Sequence, residues 1–431
     1  MSIADFGGLP IVASVALMLI LCSYLALYPA LALWLSQKVF PPQLWPLALP
    51  FFWTLTELLR SWMLSGFPWL SLGYSQINSP LAGWVPLIGE TGVTAVVVAL
   101  CAALAVFNFT KHFIALATLF IAAFVPGWLL TGKSWTQPAD TYKVAMVQGN
   151  IAQSLRWAPE QDIPTMEKYR ALSEPLWDSD LVIWPEAAVP KLELLASDYL
   201  VEMDNQALNT NTALITGIVN YNFESDEAWN NLLVLGKRKP EDTYGSYHYF
   251  HNNRYAKHHL LPIGEFVPFE DFLRPLAPLF DLPMSSFSRG DYVQSNLVAN
   301  GIRLAPAICF EIAFPHQVAA NVHGDTDMII TVSNDAWFGH SHGPAQHLDI
   351  ARMRALELGR PVLRATNNGI TAFIDDTGTV TSVLPQFEAA SLSQQVQARH
   401  GSTPYKQFGD IIVWLVTAMG LTAAFIIKRK Q

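Results

Sequence analysis

Leu304-Ala-Pro-Ala-Ile-Cys-Phe-Glu-Ile-Ala-Phe-Pro315 is a short apolar run that arrives at a thiol, Cys309, and places a carboxylate, Glu311, two residues later. A run of this length reads as a strand buried on both faces. Similar runs recur along the chain: Lys143-Val-Ala-Met-Val-Gln-Gly149, Leu181-Val-Ile-Trp184, Ala213-Leu-Ile-Thr-Gly-Ile-Val219 and Met328-Ile-Ile-Thr-Val-Ser333. Helical or loop segments separate them, and a helix is predicted over Gln346–Leu358, soon after Gly343-Pro344. Buried strands alternating with helices make an α/β pattern.

The chain around this domain is of a different kind. Of 431 residues 51% are hydrophobic and only 14% charged, against about 25% charged in ordinary soluble domains. Residues 1–130 carry few charges, whereas 133–410 reads as a water-facing domain. Apolar runs long enough to cross about 30 Å of hydrocarbon lie at Pro10–Leu35, Leu44–Leu64, Leu87–Phe107, Phe113–Leu130 and Ile411–Ile427. The expected organisation is a helical membrane part over 1–131, a catalytic domain over 141–400 and a last span over 411–427.

Orientation follows from the loops. Lys38, Lys111 and the terminal Lys428-Arg-Lys430 fall on one side under alternating crossing, and basic loops mark the cytoplasm. The water-facing domain then lies outside, which in a bacterium is the periplasmic face. Glu57, Arg60 and Glu90 lie in or near spans, where ionisable groups are costly; either they serve function, or Glu57 and Arg60 neutralise each other one helical turn apart. A net charge of -9 without a basic stripe excludes nucleic acid as a partner class.

Three polar groups follow apolar runs, where α/β folds present reactive side chains. Glu186 stands between Pro185 and Pro190, which fix its backbone. Lys257 opens a polar cluster that runs through His258 and His259 to Glu265. Cys309 ends the run quoted above. Taken singly, each has a bland reading as a loop charge, a solvated basic edge or an inert buried thiol. Taken together they supply what thiol acyl transfer needs: a nucleophilic sulfur, a base for its proton and a cation beside the charge. Lys257 and backbone N–H groups after Cys309 would serve as oxyanion donors, worth about 3 kcal/mol each. Histidines 251, 258, 259, 340, 342 and 347 are scattered without an adequate metal-ligand set.

The order Trp184-Pro-Glu186, Lys257 ahead of Pro262-Ile-Gly-Glu-Phe-Val-Pro268, Ile308-Cys-Phe-Glu311 and Ser333-Asn-Asp-Ala-Trp-Phe-Gly339 resembles the nitrilase superfamily with its Glu-Lys-Cys triad. Within it, the sequence is similar to the membrane-anchored apolipoprotein N-acyltransferase family through Gly66-Phe-Pro-Trp-Leu-Ser-Leu-Gly-Tyr-Ser-Gln76, Met146-Val-Gln-Gly-Asn-Ile-Ala-Gln-Ser-Leu-Arg-Trp157, Phe280-Asp-Leu-Pro-Met-Ser-Ser-Phe-Ser-Arg-Gly290, Ala351-Arg-Met-Arg-Ala-Leu-Glu-Leu-Gly-Arg-Pro361 and Arg364-Ala-Thr-Asn-Asn-Gly369. Nearly the whole chain is covered.

The resemblance implies an αββα sandwich inserted between N-terminal transmembrane helices and one C-terminal transmembrane helix. It implies a ping-pong reaction without a cofactor: Cys309 takes an acyl chain from a phospholipid and passes it to the α-amine of a diacylglyceryl-modified apolipoprotein. Glu265 is implied as a further essential carboxylate, with Phe310, Glu311 and Trp157 toward substrate. Trp157 has core packing as its alternative, and Phe272–Phe287 reads as a membrane-facing lid. Phe310 stands where the family often has Tyr. The family has further spans ahead of this start and a cytoplasmic N-terminus, so an odd number of preceding spans is expected. A tethered amidase acting on a small C–N substrate is the alternative enzyme, which would need neither the membrane motifs nor the lid. A silent receptor built on the same sandwich would not need all four chemical groups.

Overall fold

The computed structural model describes residues 10–155, 158–262, 264–266 and 287–430. It divides into two compact units, one built on Thr136–Ala355 and Arg360–Gly401, the other on Ile11–Trp135, Leu356–Gly359 and Ser402 onward.

The first unit is a pair of sheets. One contains β1 (Gln137–Gln148), β2 (Leu181–Ile183), β3 (Val189–Leu192), β4 (Ala213–Asn222), β5 (Glu227–Gly236) and β6 (Arg254–Ala256). The other contains β7 (Leu297–Ala299), β8 (Ile302–Ile308), β9 (Met328–Ser333), β10 (Val362–Thr366), β11 (Ala372–Ile374) and β12 (Val380–Val383), while β13 (Ala390–His400) returns to pair with β1. The sheet orders are β13-β1-β2-β4-β5-β6, with β3 beside β4, and β12-β11-β10-β9-β8-β7. The neighbours β1, β2 and β4 run parallel, as do β8, β9 and β10. Parallel neighbours need crossovers, and helices Asp162–Ser173 and Ser197–Asn209 provide them in the first sheet, Pro315–Asn321 and Gly343–Leu358 in the second.

Alternation along the strands builds the layers. Val144 and Met146 of β1 face inward with Ile183, Ile215 and Val234, meeting Leu304, Ile308, Ile330, Val332 and Phe373 in one buried cluster. Ala145 and Val147 face the other way with Val182, Leu214 and Leu233, against Met166, Tyr169, Leu200 and Met203 of the helices. Each fully buried Leu or Ile contributes about 1.5–3 kcal/mol, so a register slip that exchanged faces would be costly. The result is the expected αββα sandwich. All five strand runs expected from sequence are present, within β1, β2, β4, β8 and β9.

The second unit contains helices Ile11–Val39, Trp45–Trp62, Val85–Val106, Phe109–Leu130 and Ile411–Lys430. Among the described residues, four helical stretches are long and apolar enough to cross a membrane: Ile11–Val39, Pro80–Val106, Phe109–Leu130 and Ile411–Lys430. The expected span Leu44–Leu64 forms the 18-residue helix Trp45–Trp62, which is not among these four and carries an internal ion pair, Glu57 and Arg60. Asn108 caps Phe109–Leu130 by accepting from the Thr110 and Lys111 N–H groups. Gly89 breaks Val85–Val106 at φ +65°, where a Cβ would meet the Tyr405 ring at 2.3 Å, so only glycine fits. Ile20, Ile114, Trp128 and Met419 are 60–80% exposed, an apolar surface fitting a lipid solvent rather than water.

Candidate active site

The reactive side chains gather at strand ends. β2 delivers Glu186 through Trp184-Pro185, and the adjoining backbone is so close to β4 that a Cβ on Gly217 would lie 2.4 Å from the Ala187 nitrogen. β6 delivers Lys257, and β8 delivers Cys309. Cys309 itself takes φ +54°, a left-handed backbone that costs a non-glycine residue about 1–3 kcal/mol and persists only where surroundings impose it. A short 3₁₀ turn, Cys309–Ala313, follows at once.

Lys257 is buried, with Nζ 2.9 and 2.8 Å from the two oxygens of Glu265 and 3.5 Å from Glu186 Oε1. Asn230 on β5 links the two carboxylates: its Nδ2 donates to Glu186 Oε1 at 2.8 Å and to Glu265 Oε1 at 3.0 Å. The other Glu186 oxygen accepts from the Asn334 N–H at 2.9 Å, and Glu265 Oε2 from the Leu261 N–H at 2.8 Å. Burial alone would lower the Lys257 pKa, but Glu265 and then Glu186 outweigh it and hold the amine charged, well above its usual range. Burial, together with the Glu186 carboxylate, pushes the Cys309 thiol up to about 12, with Lys257 and Ser333 pulling the other way. At rest the sulfur is therefore protonated and needs a base at the moment of attack.

Beneath the nucleophile lies a second buried group. His347 Nε2 is 3.1 Å from the Cys309 carbonyl oxygen, and Nδ1 is 3.1 Å from Asp335 Oδ1. Asp335 Oδ1 also accepts from Ser333 Oγ at 2.6 Å, and its Oδ2 pairs with Arg364 Nη2 at 2.6 Å. Burial would raise the Asp335 carboxyl, but Arg364 and then His347 hold it well below the usual carboxylate range. Burial and then Arg364 lower the His347 pKa.

The structure thus brings Glu186, Lys257 and Glu265 into one contact network and couples Glu186 and Lys257 electrostatically to Cys309. Phe310 and Glu311, expected toward substrate, are buried members of the turn itself. Phe310 packs edge-on to Phe314 at 5.0 Å. Glu311 is fully buried, accepting from the N–H groups of Ile308, His258 and His259 at 2.8, 2.8 and 3.0 Å. Its carboxylate holds the backbone on both sides of the site. Trp157 and Phe272–Ser286 lie outside the described residues. The contacts of Asn230 and the His347–Asp335–Arg364 set went unread in the sequence; the only signal was polar side chains in otherwise apolar runs. Among the described residues no three His, Cys, Asp or Glu side chains converge to hold a metal.

An αββα sandwich presenting a thiol, an amine and two carboxylates at its strand ends defines a catalytic domain of the carbon–nitrogen hydrolase class, and that family matches residues 143–405. The apolipoprotein N-acyltransferase N-terminal domain family matches residues 1–104. The apolipoprotein N-acyltransferase of Vibrio parahaemolyticus is 47% identical over 435 residues, covering all of this chain and 85% of that protein. Those of Vibrio cholerae and Haemophilus influenzae are 46% and 40% identical, again over the whole chain and 85% and 84% of their own length. The chain belongs to the apolipoprotein N-acyltransferase family.

Proposed function

We propose that this enzyme moves a fatty acyl chain from a membrane phospholipid, through a thioester on Cys309, to the α-amine of a diacylglyceryl-modified N-terminal cysteine of an apolipoprotein. The observation that carries the reading is a buried carboxylate, Glu186, that Asn230 and the Asn334 N–H hold in place 3.5 Å from the Lys257 ammonium, with the Cys309 thiol close enough to feel both charges. Glu186 takes the thiol proton as sulfur attacks the ester carbonyl, the C–S bond forms, and the C–O bond breaks. The departing alkoxide recovers the proton from Glu186, leaving a lysophospholipid. The amine then attacks the thioester; C–N forms, C–S breaks, and an amine proton returns to sulfur by way of Glu186 or Glu265. Lys257 balances the charge on sulfur and on each tetrahedral oxyanion.

The helices of the second unit fit a membrane location, and the basic ends Lys38, Lys111 and Lys428–Lys430 support a periplasmic catalytic domain in a multi-pass inner-membrane protein. Intact mass after phospholipid exposure, with and without a diacylated peptide, tests the reading. One acyl chain gained on Cys309, then lost to the peptide, is expected. No thioester sinks it, and acyl loss to water alone would mean a hydrolase. A thiol reagent confined to the cytoplasmic side that reached Cys309 would overturn the orientation.

A further inference from the structure

We propose that His347 is a positioning residue for the nucleophile: its Nε2–H, oriented by Asp335 and Arg364, holds the carbonyl of Cys309 and so fixes the left-handed turn that aims the thiol at Glu186. The proposal rests on the reading of Cys309 as the nucleophile. Up to Ile308 the chain is held by the β8–β9 ladder and by Glu311, which accepts from the Ile308 N–H. Cys309 then departs from the strand at φ +54°. Among the described contacts, the hold on its carbonyl comes from His347 at 3.1 Å. The Cys309–Phe310 peptide is planar, so a bond to its oxygen sets the whole plane and the direction of the side chain that precedes it.

His347, Asp335 and Arg364 are each almost wholly inaccessible, and they come from three separate segments: the helix Gly343–Leu358, the turn after β9 and the strand β10. Both ring nitrogens of His347 face oxygen acceptors. With its proton on Nε2 the ring donates to the Cys309 carbonyl, while Nδ1 faces Asp335. The Asp335 carboxylate, itself held by Arg364 and Ser333, stands 3.1 Å from Nδ1 and stops the ring from rotating. None of the three side chains has a role in the acyl-transfer steps themselves; they act through the peptide that carries the sulfur.

The test uses the full chain in lipid or detergent. In single turnover, His347→Phe is expected to form the thioester about 100-fold more slowly, the cost of a small misplacement of a reacting group, with KM for phospholipid within about threefold of wild type. His347→Gln, whose Nε2 can reach the same carbonyl, is expected to regain at least about tenfold. Alkylation of Cys309 by iodoacetamide, located by peptide mass, should slow in the same order, and this readout needs no acyl donor. Wild-type rates in His347→Phe overturn the proposal, and so does an equal loss in the Phe and Gln variants, which would mean packing rather than a donor. If His347→Phe does not fold, Asp335→Asn replaces it: slower alkylation in folded protein is expected, and wild-type alkylation overturns the proposal. A wild type that forms no thioester defeats the acyltransferase reading, while the alkylation series still decides on His347.

Discussion

The ammonium of Lys257 is paired first with Glu265, at 2.8 and 2.9 Å, and stands 3.5 Å from Glu186. This asymmetry leaves Glu186 less committed to the amine and freer to take the thiol proton. Glu265→Gln keeps the volume and removes the charge, so Lys257 is expected to draw onto Glu186 and quench it as a base. Thioester formation should fall by at least about 100-fold, the lower range for loss of a general base, in single-turnover mass measurements. A loss below about threefold would show that Glu265 does not control the base.

The raised Cys309 thiol makes a second expectation. A free thiol titrates near 8.5, whereas Cys309 is pushed up to about 12, chiefly by burial and Glu186. Iodoacetamide alkylation of Cys309 in the absence of lipid should keep accelerating above pH 9 and not level off there. The same shift has a stability consequence. A folded pKa above the unfolded value contributes stability that is fully present below the unfolded pKa and is lost as pH rises toward the folded one. Unfolding measured between pH 9 and 12 should therefore weaken with pH in wild type and less steeply in Cys309→Ser; identical slopes would contradict it.

The central strands β1, β2, β4, β8 and β9 were legible as apolar runs, and the edge strands were not. Glu186 and Cys309 each follow an apolar run, a local signal, whereas Lys257 stands in a polar cluster and is marked by its place ahead of Pro262-Ile-Gly-Glu-Phe-Val-Pro268. The strand β13 was not legible, because Ser391-Leu-Ser-Gln-Gln-Val-Gln397 reads as polar chain; it is an edge strand whose outward residues meet solvent. β11 spans only Ala372–Ile374, too short for any periodicity. His347 looked like one of several scattered histidines, since its partners Asp335 and Cys309 are brought to it only by the crossover of the second sheet. The run Leu44–Leu64 forms the helix Trp45–Trp62. It carries the ion pair Glu57 and Arg60 one turn apart inside it.

Asn230 is the side chain that the sequence least advertised and that the site uses most directly. One Nδ2 group serves both Glu186 and Glu265, holding two carboxylates together whose charges repel. Asn230→Ala should slow thioester formation by about 10–100-fold, as for lost supports of reactive groups, while folded yield stays near wild type. Asn230→Asp adds a third acceptor where a donor is required and should be worse than Ala. If Asp equals Ala, the donor is not what matters at this position.

Glu311 ties the two halves of the site together: it accepts from the Ile308 N–H just before the nucleophile and from the His258 and His259 N–H groups just after Lys257. Tyr255 Oη at 3.0 Å and Gln317 Nε2 at 2.8 Å complete its shell. Every one of these neighbours donates. In Glu311→Gln the amide nitrogen must face at least one of them, stranding buried donors at a cost of about 3 kcal/mol, which for a domain of this size lowers Tm by roughly 6–12 °C. The same loosening should reduce the rate of thioester formation and leave KM for phospholipid nearly unchanged, because these contacts of the carboxylate are all to the chain itself. A variant with wild-type Tm, or one whose defect lies in KM alone, would return Glu311 to the role of a substrate contact.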